Sequence, residues 1–210
     1  MKIRLKKTLT LILVSLFIVC NLIGLVGCSK NSGNKVVDDY KLYLNDTFNS
    51  TLDLSDCQGY RNWYYYCGDP ENNTLASLVF NEFSGRWCSE YQNLDKETYI
   101  WGTAWLPSPL GGIGMGFKAP ATGTVQVKVV LELLGESGQS GDGVVFTITD
   151  YNGESYDCKS LPTAKAGIKQ VLENTIEVKL GDSILFMLFA NTDNINDFTN
   201  VDITINYVEK

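Results

Sequence analysis

The sequence predicts an all-β fold: a sandwich or barrel with roughly ten strands in two sheets. Three observations support this. Beyond the first 28 of its 210 residues, no stretch keeps a helical period of apolar positions over three turns. Alternation with period two recurs along the chain. Turn chemistry separates the alternating runs.

The elements follow in order. Asn62 to Tyr66 is an aromatic run with Trp63 and Tyr65 on one face and Tyr64 and Tyr66 on the other. Trp63 and Tyr65 are assigned to the core, because tryptophan is largely buried on average. Tyr99 and Trp101 share one face of an extended segment, with Trp105 just beyond. Gly111, Gly112, Gly114 and Gly116 follow Leu110 and read as a mobile or tightly turned loop beside these rings. From Val125 to Leu133 the odd positions are apolar, as in a half-buried strand. Val144 to Thr149 is another strand. Leu172 to Leu180 and Val201 to Tyr207 alternate in the same way. Ile184 to Ala190 is apolar on both faces, as expected of a central strand. Pro120 to Gly123, Ser137 to Gly143, Tyr151-Asn152-Gly153 and Gly181-Asp182 supply the turns. No internal repeat or later linker divides the region 45–210, which reads as one domain.

The first residues read as an address. Lys2, Arg4, Lys6 and Lys7 precede an almost wholly apolar run from Thr8 to Val26. Leu25-Val26-Gly27-Cys28 then resembles the lipobox of bacterial lipoproteins in all four positions. That resemblance implies a signal peptide over 1–27, cleavage before Cys28, and lipid (diacylglyceryl, with palmitate-type acyl chains) on the Cys28 sulfur. Residues 28–44 read as a tether, opening with the small polar run Ser29 to Lys35. The expected location is extracytoplasmic, on the outer face of a bacterial membrane and facing the cell surface.

Charge and composition exclude several classes. Four of the 17 basic residues and none of the 24 acidic ones lie in the signal, so the mature chain carries a net −11. Such a surface is repelled by nucleic acid and by anionic headgroups. There is no histidine, so neither a Ser-His-Asp nor a Cys-His relay can be built. The cysteines left after the signal and lipid site are Cys57, Cys67, Cys88 and Cys158, an even number outside the cytoplasm. Cys67 and Cys88 each follow an aromatic strand-like run and are the candidate disulfide pair.

A series of landmarks resembles a family. They are Asn62 to Tyr66, Gly85-Arg86-Trp87, Phe117 to Val125, Ser140 to Val144, Val178 to Asp182, and Asn191 to Asp202. In this order they are similar to the jelly-roll-like β-sandwich modules that accompany catalytic domains in secreted bacterial polysaccharide-degrading enzymes. The resemblance implies a non-catalytic accessory module that binds carbohydrate. Leu106-Pro107 stands where that family often has His-Pro, so no role of that histidine carries over.

Sugars offer flat C–H faces that sit on aromatic rings, with a few polar groups fixing orientation. Trp101, Trp105, Tyr99 and Trp87 are the ligand-binding candidates on that ground. Asn191, Asp193, Asn194, Asn196 and Asp197 crowd one segment, and Asp142 lies between two glycines. Oxygen ligands of this kind suit calcium, so Asp193, Asp197 and Asp142 are candidate ligands of a structural Ca²⁺. The competing reading is turn-forming Asx chemistry. No other cofactor is indicated. Carbohydrate binding without cleavage therefore leads, with a polysaccharide or glycan as partner and the membrane engaged through Cys28. An envelope module recognising a protein is the alternative. A carboxylate-pair glycoside hydrolase comes third, since Glu82, Glu90, Glu97 and Glu132 sit in no recognisable signature.

Overall fold

Strict alternation in the sequence becomes two antiparallel sheets packed face to face. The computed structural model describes residues 39–89, 98–134 and 141–209. The signal, Cys28, most of the tether, Glu90 and Glu97 lie outside the described residues. The strands are β1 (Thr47–Asn49), β2 (Trp63–Gly68), β3 (Ala76–Ser77), β4 (Val79–Asn81), β5 (Arg86–Cys88), β6 (Tyr99–Trp101), β7 (Ala104–Leu106), β8 (Gly112–Lys118), β9 (Gly123–Leu133), β10 (Val144–Asp150), β11 (Ser155–Leu161), β12 (Gln170–Val178), β13 (Ser183–Ala190) and β14 (Thr199–Val208). The eight-stranded sheet has the order β12-β9-β14-β7-β6-β5-β4, with β1 also paired to β14. The six-stranded sheet has the order β11-β10-β13-β8-β2-β3. From β8 onward the chain changes sheet at every connection except the β10–β11 hairpin, which gives the jelly-roll-like winding.

Fourteen strands among the described residues exceed the ten expected. The excess comes from the region of β3 to β7, where each strand is only two or three residues long. Runs that short carry too few positions for alternation to register in the sequence.

The core lies between the sheets. The odd positions of β9 and β14 face Trp63, Tyr65, Ile113, Met115, Phe117, Phe146, Phe186 and Leu188 across it, all nearly inaccessible to water. Trp63 packs on Phe117 (centroids 5.4 Å apart) and Phe186 (6.1 Å). β14 occupies the middle of the larger sheet, with β9 on one side and β7 and β1 on the other. Its last inward side chain, Tyr207, donates its hydroxyl to the Ala121 carbonyl (2.7 Å) and accepts from the Ala121 N–H (3.2 Å). Both backbone groups of that buried turn residue are thereby satisfied. Tyr40, Tyr43 and Leu44, at the end of the segment read as tether, pack against the core.

One expectation is corrected here. Gly112, Gly114 and Gly116 do not form a loop. They are the outward positions of β8, a central strand whose inward positions are Ile113, Met115 and Phe117. The alternation is intact, with glycine standing where a polar residue would normally face out. A Cβ on Gly114 would run into the Phe186 carbonyl and the Met187 sulfur, and one on Gly116 into Tyr66 and Leu185. Leu185 and Met187 thus find cover on the outer face of β13 although they point away from the core. This is why Ile184 to Ala190 is apolar on both faces.

Gly114→Ala is expected to destabilise the fold by about 2 kcal/mol or more, because backbone must move to admit the methyl group. In thermal unfolding followed by circular dichroism this corresponds to a fall of roughly 5 °C for a domain of this size.

Candidate functional site

The glycine row leaves a shallow floor on the outer face of the six-stranded sheet, and tyrosines stand on it. Tyr64 and Tyr66 project outward from β2, stacked with centroids 6.5 Å apart and planes 23° from parallel. Opposite them on β8 lie Gly116 and Gly114, so no side chain of that strand separates the rings from β13. The β10–β11 hairpin brings in Tyr151 and Asn152, and β11 adds Tyr156. Together with Lys118, Asp150 and the turn Gly181-Asp182-Ser183 they enclose an open cleft of about 500 Å³.

The walls of the cleft are held by local bonding. Asp150 Oδ1 accepts from the N–H groups of Asn152 (2.8 Å) and Glu154 (2.9 Å), and Oδ2 accepts from the Asn152 amide (3.2 Å). Asp182 Oδ2 accepts from the Lys179 N–H (2.9 Å), and the Asp182 carbonyl accepts from the Ala119 N–H (2.8 Å). Gly181, at φ +88°, makes the tight turn that an L side chain would strain. Both carboxylates are therefore fixed in position before any ligand arrives.

Two of the phenols, Tyr66 and Tyr156, are held in the protonated, donating form. Burial, then the proximity of Tyr151 and Tyr64, pushes the Tyr66 pKa up to about 12. Burial and the charges of Asp150, Asp182 and Glu154 raise that of Tyr156. The cleft thus presents four rings, several O–H donors, fixed carboxylate acceptors and one lysine. This combination suits a neutral polyhydroxylated ligand.

The aromatic residues singled out from sequence separate in space. Trp101 is 56% exposed, on the outer face of the other sheet. Tyr99 shares that face, as its spacing requires, but is nearly buried: the Arg86 guanidinium lies 4.0 Å over its ring and Phe198 packs edge-on against it. The same guanidinium reaches the Trp101 ring at 5.4 Å. Trp105 and Trp87 are corrected to core positions. Trp105 is 1% exposed and packs towards Phe146, because β7 directs it inward. Trp87 stacks on Tyr65 (4.1 Å, 11°) and donates its indole N–H to the Ser55 carbonyl. Neither presents a ring face to solvent. Sequence reasoning put Tyr64 and Tyr66 opposite Trp63 but gave them no role. The alternation that turns Trp63 inward leaves both tyrosines outward, but only the pairing of β2 with β8 sets them beside the glycine row.

The Cys67–Cys88 pair is also corrected, as both are free thiols. Cys67 points into the core beside Ser89, at 3.5 Å, whereas Cys88 is one residue out of phase and points outward with Arg86. Asp142, Asp193 and Asp197 do gather at the opposite end of β10 from the cleft. Burial, then Asp142 and Asp193, pushes the Asp197 pKa up to about 7. Glu132 lies in a separate groove with Asn200, Asp202 and Lys169 on the larger sheet.

No family profile matches the chain, and no curated protein matches it. Solved structures give weak likenesses. The C-terminal CBM6 of LamC from Zobellia galactanivorans shares 15% identity over 49% of this chain and 76% of its own, with a TM-score of 0.31. Rabbit GITRL shares 11% identity over 70% of this chain and 94% of its own, with a TM-score of 0.32. The GH115 4-O-methyl-α-glucuronidase BtGH115A shares 13% identity over 51% of this chain, which spans 15% of its length, with a TM-score of 0.34. These values assign no family.

Burial raises the pKa of both the Cys67 and the Cys88 thiol, and Cys158 is exposed. Maleimide labelling of the native chain, mapped by peptide mass, is expected to modify Cys158 first and Cys67 only after denaturation.

Proposed function

We propose that the protein binds carbohydrate without cleaving it, through the tyrosine cleft on the outer face of the six-stranded sheet. The observation that carries this reading is the convergence of Tyr64, Tyr66, Tyr151 and Tyr156 with fixed Asp150, Asn152 and Asp182 around one open cleft. Rings take the C–H faces of sugars, while carboxylates and hydroxyls read the hydroxyl pattern. The acids of the cleft are tied into turns, which supports orientation of a ligand rather than proton transfer to it. The reading includes the lipid anchor on Cys28, which would keep captured polymer at the membrane surface. An envelope protein-recognition module remains the alternative, and a null result below would favour it.

Titration calorimetry of the detergent-solubilised full chain against a polysaccharide panel tests the proposal. One polymer is expected to bind saturably. Tyr151→Ala and Tyr156→Ala, both at partly exposed positions, should each weaken it about tenfold, the loss of roughly 1.4 kcal/mol of ring contact. Trp101→Ala should leave affinity unchanged. The reverse pattern would move the site to the larger sheet, and silence across the panel would sink the sugar reading.

The anchor has its own test. Wild-type chain expressed in a bacterium should partition into the detergent phase of a Triton X-114 extract and carry lipid on Cys28 by mass spectrometry. Cys28→Ser should lose that lipid adduct.

A further inference from the structure

The other end of β10 and β13 holds a group that the cleft does not explain. Val144 pairs with Ala190 there, six residues and roughly 20 Å of strand from Asp150 at the cleft. The strap Gly141-Asp142-Gly143 abuts the segment 191–197. The Asn191 amide donates to the carbonyls of Asp142 (2.8 Å) and Gly143 (2.9 Å), and the Thr192 N–H donates to Asp142 Oδ2. A Cβ on Gly141 would strike the Ile195 carbonyl, so the two backbones lie in contact.

Asp197 sits at this junction with none of its surface exposed. Among the described residues neither carboxylate oxygen has a hydrogen-bond partner, and Asp142 Oδ1 has none either. Buried carboxylates are ordinarily paired, hydrogen-bonded or metal-bound. Among the described residues no cation or donor reaches these three oxygens, while further negative charge comes from Asp193. Among the described residues no three acidic or cysteine side chains converge as a complete metal-holding group. Carboxylates alone therefore do not fill a coordination shell. The carbonyls of Asp142, Gly143 and Ile195 lie at the same junction, and an all-oxygen surrounding of this kind favours a large, hard cation that takes six to eight oxygens in flexible geometry.

We infer that the junction of the Gly141–Gly143 strap with the β13–β14 connection is a Ca²⁺ site. Asp197 chelates through both carboxylate oxygens, Asp142 contributes Oδ1, and backbone carbonyls and water complete the shell. The ion clips the β13–β14 connection to the start of β10 and acts on stability, at a distance from the cleft.

The test uses the full-length chain in detergent, stripped with EDTA. Calorimetry should show one saturable Ca²⁺ site, and melting temperature should rise by roughly 5–10 °C at a hundredfold excess over Kd. Asp197→Asn keeps the shape and removes the buried charge. It should melt no lower than stripped wild type and take up no calcium. Asp142→Asn should weaken uptake at least tenfold, and it carries the test if Asp197→Asn does not fold. Wild type that shows neither heat nor a melting shift at about 10 mM Ca²⁺, above the range of weak extracellular sites, overturns the proposal. So does an Asp197→Asn chain that binds calcium like wild type.

Discussion

The rest of the structure depends on one steric constraint, the absence of side chains along the outer face of β8. Gly112, Gly114 and Gly116 leave a trough one strand wide between β2 and β13. Leu185 and Met187 lean into it from one side and Tyr66 from the other, so a face that would ordinarily be polar is apolar and partly sealed. The same trough fixes the height of Tyr64 and Tyr66 above the sheet. Core packing and cleft geometry are therefore two results of one sequence pattern. Substituting these glycines would disturb stability and site together.

The two ends of the smaller sheet are built differently. At the cleft end, acids are consumed by the turns they stabilise: Asp150 closes a hairpin and Asp182 caps the entry to β13. At the other end, Asp197 is buried with no partner among the described residues. Sequence alone does not separate these cases, because both ends are rich in Asn, Asp and Gly. The difference is where the chain folds back. A hairpin offers its own N–H groups to a nearby carboxylate, whereas Asp197 is carried inward beside β14, where no donor among the described residues meets it.

Long strands were legible and short ones were not. β9, β12, β13 and β14 each span at least eight residues; burial follows the alternation read from sequence in β9, β12 and β14, and β13 is buried on both faces as its unbroken apolar run implies. Trp63 and Tyr65 face the core for the reason given in advance. The segment 76–106 defeated the reading because strands of two or three residues leave no period to detect. Trp105 and Trp87 were misplaced as open rings for the same reason, since the inward phase of β5 and β7 is set by pairing with neighbours. The Gly112–Gly116 stretch was misread because glycine signals a turn more often than an outward strand position. The cleft itself unites β2, β8, β11 and two distant turns, a proximity that only sheet order provides.

The position of β14 has a consequence for how the chain reaches its folded state. It follows every other strand in sequence, yet it lies in the middle of the larger sheet. Until it arrives, β9 with β12 on one side and β4 to β7 on the other are separate fragments with unpaired edges. Closing that gap requires pairings between residues as far apart as Thr47 and Asn206. Contacts so distant in sequence form slowly. A chain emerging from the ribosome in order can complete its smaller sheet first, while the larger sheet stays split in two until the last strand is made.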